Sequence, residues 1–148
     1  MSIITGKVLL IGGSGVGKTS LRQILCLETL TYRKTQMLEF SDVFIDCPGE
    51  YLEIPRYYHV LIDTSHRVEE IWALQDATQT RSFYPPNFAK AFLKPVVGIL
   101  TKIDLPQANI EQARSFLNYA GIRDPVYETS IFNCESISEL ALRLQGLL

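Results

Sequence analysis

The sequence predicts a three-layer α/β fold, with helices on both faces of a mostly parallel sheet of about six strands. Three observations carry this. Short apolar runs at Lys7–Ile11, Glu70–Gln75 and Pro95–Lys102 lack polar alternation, as expected of strands covered on both faces. Stretches with helical apolar periodicity lie between such runs. Strand and helix then alternate along the chain, the pattern that gives right-handed crossovers and a parallel sheet.

Lys7–Ile11 stops at a glycine and reads as the first strand. Lys18–Glu28, after a glycine-rich stretch, reads as a helix. Met37–Cys47 reads as two strands with a turn near Ser41–Asp42. Glu70–Gln75 and Pro95–Lys102 are buried strands, with Trp72 in the core. Between them Ser82–Asn87 (SFYPPN) is the densest cluster of chain breakers and reads as a loop. Asn109–Gly121 is a helix. Asn109 and Gln112 stand at capping-box spacing, Ile110, Ala113, Leu117 and Ala120 share a face, and Gly121 supplies the stop. Val126–Thr129 is a short late strand. Ser136 and Glu139 repeat the box spacing at the head of a last helix, whose apolar stripe is Ile137, Leu140, Ala141 and Leu144.

The chain has 148 residues, 47% apolar and 20% charged, with a formal net charge of −2. That suits one globular domain with its own core, over residues 1–148. The charge balance offers no general basic face, which argues against a nucleic-acid or anionic-membrane binder. Cys26, Cys47 and Cys134 stand far apart, without metal-site spacing, and read as reduced thiols of a cytoplasmic protein. His59 and His66 have no partners at metal spacing either. The N-terminal apolar run is too short for a signal peptide or a membrane span.

Ligands of parallel α/β sheets sit at the carboxyl ends of the strands. The loops after Ile11, Cys47, Lys102 and Thr129 therefore share one edge. The first loop, GGSGVGKTS, sets Gly12, Gly13, Ser14, Gly15, Val16, Gly17, Lys18, Thr19 and Ser20 between a strand and a helix, at P-loop spacing. Glycines let the backbone close on a phosphate, which takes the N–H groups of Gly13 to Lys18 and the dipole of the helix N-terminus. Lys18 would reach the β- and γ-phosphates, and Thr19 would ligate Mg²⁺. The second loop, DCPGEY, places Asp46 at a strand end, where a carboxylate serves Mg²⁺ directly or at one remove. Gly49 can set its N–H against a γ-phosphate. Thr35, in YRKTQ, is spaced to complete the Mg²⁺ shell in a segment that orders on triphosphate binding. Arg33 and Lys34 beside it are either transition-state cations or solvated loop charges.

The third loop, TKID, holds Thr101, Lys102 and Asp104. Asp104 can accept from guanine N1–H and N2–H, a donor pair that adenine lacks, and Lys102 can lay its stem along the base. In the fourth, ETSIF, Ser130 and the N–H of Ile131 can meet the base carbonyl.

The ordered set Gly12–Thr19, Thr35, Asp46–Gly49 and Thr101–Asp104 resembles a small Ras-like GTPase of the P-loop NTPase class. KTQ (Lys34–Gln36), PGEYLE (Pro48–Glu53) and PRYYHVLI (Pro55–Ile62) narrow the likeness to the EutP/PduV family of ethanolamine and propanediol utilisation, over nearly the whole chain. The resemblance implies a cytoplasmic nucleotide-binding protein associated with bacterial microcompartments. It carries two activities, a GTPase and an ATP-dependent acetate kinase. The chain departs from a Ras-like enzyme in three places. Glu50 replaces a water-orienting glutamine, so turnover should be slow, although Glu50 can act as a base. Thr101 replaces an asparagine. Ile131 replaces an alanine and would crowd the base.

The expected function is Mg²⁺-dependent GTP binding with slow hydrolysis, with Lys18, Gly49 and Glu50 at the reacting phosphate. One alternative is a small-acid kinase using ATP, with Arg33 or Arg56 as the carboxylate ligand. Another is a scaffold that binds nucleotide without turnover and docks on a microcompartment shell. Arg56–His59 (RYYH) is the candidate surface for a shell or cargo protein, unless Tyr57 or Tyr58 packs on the sheet.

Overall fold

A computed structural model describes residues 7–33, 43–123 and 125–147. Among the described residues five strands form one sheet, all pairings parallel, in the order β2-β1-β3-β4-β5. They are β1 (Val8–Ile11), β2 (Phe44–Asp46), β3 (Glu70–Asp76), β4 (Val96–Thr101) and β5 (Val126–Glu128). The helices are α1 (Lys18–Arg33), α2 (Glu50–Glu53), α3 (Tyr58–Ser65), α4 (Ile110–Tyr119) and α5 (Cys134–Leu147). Short 3₁₀ turns occupy Pro55–Tyr57 and Phe88–Ala91. The first of the two strands read from Met37–Cys47 falls at residues 37–42, outside the described residues.

The middles of the strands are apolar because each face of the sheet has its own helical layer. Val8 and Leu10 point into one layer, with Trp72, Leu74, Val97 and Ile99 beneath α1 and α5. Leu9 and Ile11 point into the other, with Ile71, Ala73 and Leu100 beneath α3 and α4. Trp72, fully buried, meets Phe44 edge-on at 5.9 Å, and its Nε1 donates to Glu70 Oε2 at 3.0 Å. Arg143 of α5 closes on both Glu70 oxygens at 2.9 and 2.7 Å, so a charge at the start of β3 is neutralised by a two-pronged pair.

The capping expected for α4 is present: Asn109 Oδ1 accepts from Gln112 N–H at 3.0 Å, and Gly121 follows with φ +81°. The last helix differs from expectation. It starts at Cys134, and Asn133 is the cap, accepting from Ser136 N–H at 3.2 Å. The Ser136 hydroxyl donates instead to the carbonyls of Asn133 (2.8 Å) and Ser130 (3.2 Å). Both residues are suited to capping, and the earlier one adds a turn that brings Ser136 into the helix.

The SFYPPN loop is pinned by aromatics. Tyr84 stacks on Phe88 at 5.3 Å, and Phe88 on Phe92 at 5.1 Å and Tyr58 at 5.8 Å. The buried Tyr84 hydroxyl donates to Leu74 O at 2.8 Å. Tyr58 of RYYH therefore packs inward. Tyr57 lies against Tyr51 at 5.1 Å, and Arg56 covers Tyr57 at 5.0 Å. No described helix is long and apolar enough to cross a membrane.

The helical stripe of α5 can be tested by a paired substitution. Leu144 is fully buried and Leu142 is 60% exposed. Leu144→Ala should cost about 2–5 kcal/mol in urea unfolding. Leu142→Ala should change stability by about 0.5 kcal/mol or less. Equal effects would refute the packing described for this layer.

Candidate functional site

The order β2-β1-β3 puts the topological switch point between β1 and β3, and a crevice is expected at their carboxyl ends. The loop after β1 occupies that edge. Gly15 and Gly17 have φ of +79° and +103°, a region that L side chains rarely adopt. Gly12 has a different reason: a Cβ there would lie 2.8 Å from Val16 Cγ1, inside the core. Gly13 through Ser20 line an open cradle of about 500 Å³, together with Gly49 and Lys102.

The loop's carbonyls are tied back. Val16 N–H donates to Gly13 O at 3.2 Å, and Leu21 N–H to Gly17 O at 3.0 Å. The buried Thr101 hydroxyl donates to Val16 O at 2.7 Å. Lys102 Nζ donates to Gly15 O at 2.8 Å. One loop amide, that of Ser14, donates to a carboxylate: Glu53 Oε1 at 2.8 Å.

Lys18 heads α1 and lines the cradle. Its Nζ donates to Cys47 O and lies 3.4 Å from Asp46 Oδ1 at the end of β2. Asp46 and Thr19 offer hard oxygen donors, the kind Mg²⁺ prefers. Burial pushes the Cys47 thiol up to about 11, against the pull of Lys18, so it stays protonated at neutral pH. Gly49 presses on the first loop, where a Cβ would come 2.5 Å from Ser14 N. Glu50 opens α2 and Arg33 closes α1, and both are described by their backbone alone. Lys34 and Thr35 lie outside the described residues.

A second hollow of about 200 Å³ adjoins the cradle, with Val16, Gly17, Ser20 and Lys102 lining both. Leu105, Ile131 and Phe132 make it apolar, and the exposed Asp104 stands in its wall. Thr101 lines it too, but the Thr101 hydroxyl faces Val16 O. Ser130 is buried, and its Oγ accepts from Phe132 N–H at 3.1 Å. Thr101 and Ser130 thus brace loops, while Asp104, Lys102 and Ile131 face the hollow.

Sequence reasoning missed the loop after β3, although the strand-end rule applies to it equally. Asp76 ends β3, almost fully buried, and pairs with Lys102 Nζ at 2.9 Å. It also accepts from Thr78 N–H at 2.8 Å and Thr78 Oγ1 at 2.6 Å. Burial alone would raise the Asp76 carboxyl. The Thr78 and Lys102 hydrogen bonds more than reverse this and hold it below the usual carboxylate range. Lys102 sits at φ +61°, unusual for a lysine, and its ammonium bridges Asp76 and Gly15 O.

A carboxyl with a lowered folded-state pKa stabilises at neutral pH, and the gain is lost as pH falls through the folded value. Asp76→Asn should therefore cost about 2 kcal/mol at pH 7. The difference from wild type should shrink as the pH falls below about 4. Chemical denaturation across that range measures it, and a gap that stays constant with pH would sink the account.

The PduV-EutP family model, described as "Ethanolamine utilisation - propanediol utilisation", matches residues 5–146. "Probable acetate kinase EutP" of Escherichia coli (strain K12) is 32% identical over 143 residues, covering 95% of this chain and 90% of the relative. "Propanediol utilization protein PduV" of Citrobacter freundii is 36% identical over 142 residues, 95% and 93% of the two chains. With the five-stranded parallel sheet and its P-loop, these matches place the chain in the PduV-EutP family.

Proposed function

We propose that this protein binds a nucleoside triphosphate with Mg²⁺ across the carboxyl edge of the sheet, prefers guanine, and hydrolyses the nucleotide slowly. One observation carries the reading: the phosphate cradle adjoins an apolar hollow with an exposed carboxylate, Asp104, in its wall. An apolar hollow suits a flat base, and a carboxylate suits the N1–H and N2–H of guanine. The stem of Lys102, drawn toward Gly15 O, lines the same hollow. Lys18 would take the β- and γ-phosphate oxygens in exchange for Cys47 O. Thr19 and Asp46 would hold Mg²⁺, joined by Thr35, and the ion would neutralise charge developing on the phosphates. Gly49 would stand at the γ-phosphoryl group and Glu50 at the water. Slow turnover would follow from Glu53, which sits on the Ser14 amide and repels an approaching phosphoryl group. Family membership supports a place in ethanolamine or propanediol metabolism, with the microcompartment association that the resemblance implies.

A second reading is γ-phosphoryl transfer to a small carboxylic acid. It is favoured by the name of the Escherichia coli relative, a probable acetate kinase, and by a third cavity, of about 330 Å³, beside Gly13 and Ser14. Calorimetric titration of GTP, and separately ATP, into nucleotide-free protein with Mg²⁺ tests the base reading. GTP should bind at least about tenfold tighter, near 1.4 kcal/mol. Asp104→Asn should erase that preference. Equal or tighter ATP binding by the wild type would overturn the guanine assignment.

A further inference from the structure

We propose that the cavity between the carboxyl ends of β1 and β3 seats a short-chain monocarboxylate, with Arg81 as the cation that holds its carboxylate. The inference rests on the second reading above and names its acceptor site. The cavity lies at the switch point of the sheet, where ligands of such folds bind. Gly13 and Ser14 line both this cavity and the phosphate cradle. An acid bound here would thus lie next to the P-loop.

Arg81 is exposed on the wall of this cavity, with its guanidinium 5.3 Å from the centroid of the Phe83 ring. Stacking holds a guanidinium while leaving its N–H edges available to a carboxylate. Among the described residues no carboxylate lies within ion-pair distance of it. The backbone beneath it is fixed. Gln75 Nε2 donates to Arg81 O at 3.3 Å, and the next turn is anchored by Tyr84 on Leu74 O. Phe83 packs so closely on Gly13 that a Cβ there would lie 2.8 Å from the ring.

The cavity already takes a carboxylate. Glu53 Oε1 accepts the Ser14 N–H at 2.8 Å within it. A triphosphate in the cradle would take that amide from Glu53, and a substrate acid would lie beside it with Arg81 balancing its charge. The other acid in the wall, Asp76, is neutralised by Lys102. Leu52, Leu74 and Phe83 supply apolar wall for a methyl or ethyl group. Arg56, the cation expected from sequence, stacks on Tyr57 and does not line this cavity.

In the transfer step a carboxylate oxygen bonds to the γ-phosphorus. The bond from that phosphorus to the β,γ-bridging oxygen breaks, and its electron pair leaves with the nucleoside diphosphate. Nucleophile and leaving group are both anions, so no proton is transferred, and the product is an acyl phosphate.

The test uses the full chain with Mg²⁺ and a non-hydrolysable triphosphate analogue, titrated with ¹³C-labelled acetate and propionate and read by NMR line broadening. Arg81→Ala should weaken both acids about tenfold or more, and Arg81→Lys should restore part of the affinity. Glu53→Gln should tighten them. Affinity for the analogue should not change in the Arg81 variants. Wild type that binds neither acid, or Arg81→Ala that binds them as wild type does, overturns the proposal. Hydroxylamine trapping of acyl phosphate, run on the same proteins with hydrolysable nucleotide, reads the transfer separately. Arg81-dependent acid binding with no trapped product would keep the site and reject the kinase reading.

Discussion

The cradle after β1 depends on where its carbonyls go. A loop can present several amides to one concave side only if the alternating carbonyls turn outward and find donors there. Here the donors come from three places. Val16 serves Gly13 O from within the loop, and Leu21 serves Gly17 O from α1. Thr101 and Lys102, at the end of β4, serve Val16 O and Gly15 O. The left-handed glycines 15 and 17 allow the turns. The cradle is therefore a product of the sheet. β4 must pair with β3 along its length to deliver Thr101 and Lys102, and β3 must end at Asp76 to hold the lysine.

That dependence explains what the sequence made legible. The P-loop was readable because its requirements are local: glycine where φ is positive or the core is close, then a lysine, then a helix. The α4 cap at Asn109 and the stop at Gly121 were readable for the same reason. The α5 cap was not, because Asn133 and Ser136 are both suitable by spacing, and the Ser136 hydroxyl is taken by the carbonyls of Asn133 and Ser130. The long-range partners left no local trace. Asp76 meets Lys102 across two strands, and Glu53 reaches Ser14 from α2. For Thr101 and Ser130, a hydroxyl near a base and a hydroxyl bracing a loop look alike in one dimension. Arg81 follows a buried strand, and the strand-end rule alone does not tell its loop from the other four.

The charges at the site also form a closed set. Lys18 has Asp46, Lys102 has Asp76, and the Ser14 amide has Glu53. A triphosphate adds several negative charges to a site whose cations already have partners, so on the proposed reading it binds by exchange. Lys18 turns from Asp46 and Cys47 O to phosphate, Asp46 is freed for Mg²⁺, and Ser14 gives up Glu53. The Asp76–Lys102 pair stays, because it holds the Gly15 carbonyl of the loop. Each exchange replaces one charge-assisted contact with another, so net affinity rests on the difference between them. Mg²⁺ then decides the sign. Without it Asp46 has no new partner when Lys18 leaves, and the triphosphate meets an uncompensated carboxylate. With it, the same carboxylate becomes part of the reason the nucleotide stays.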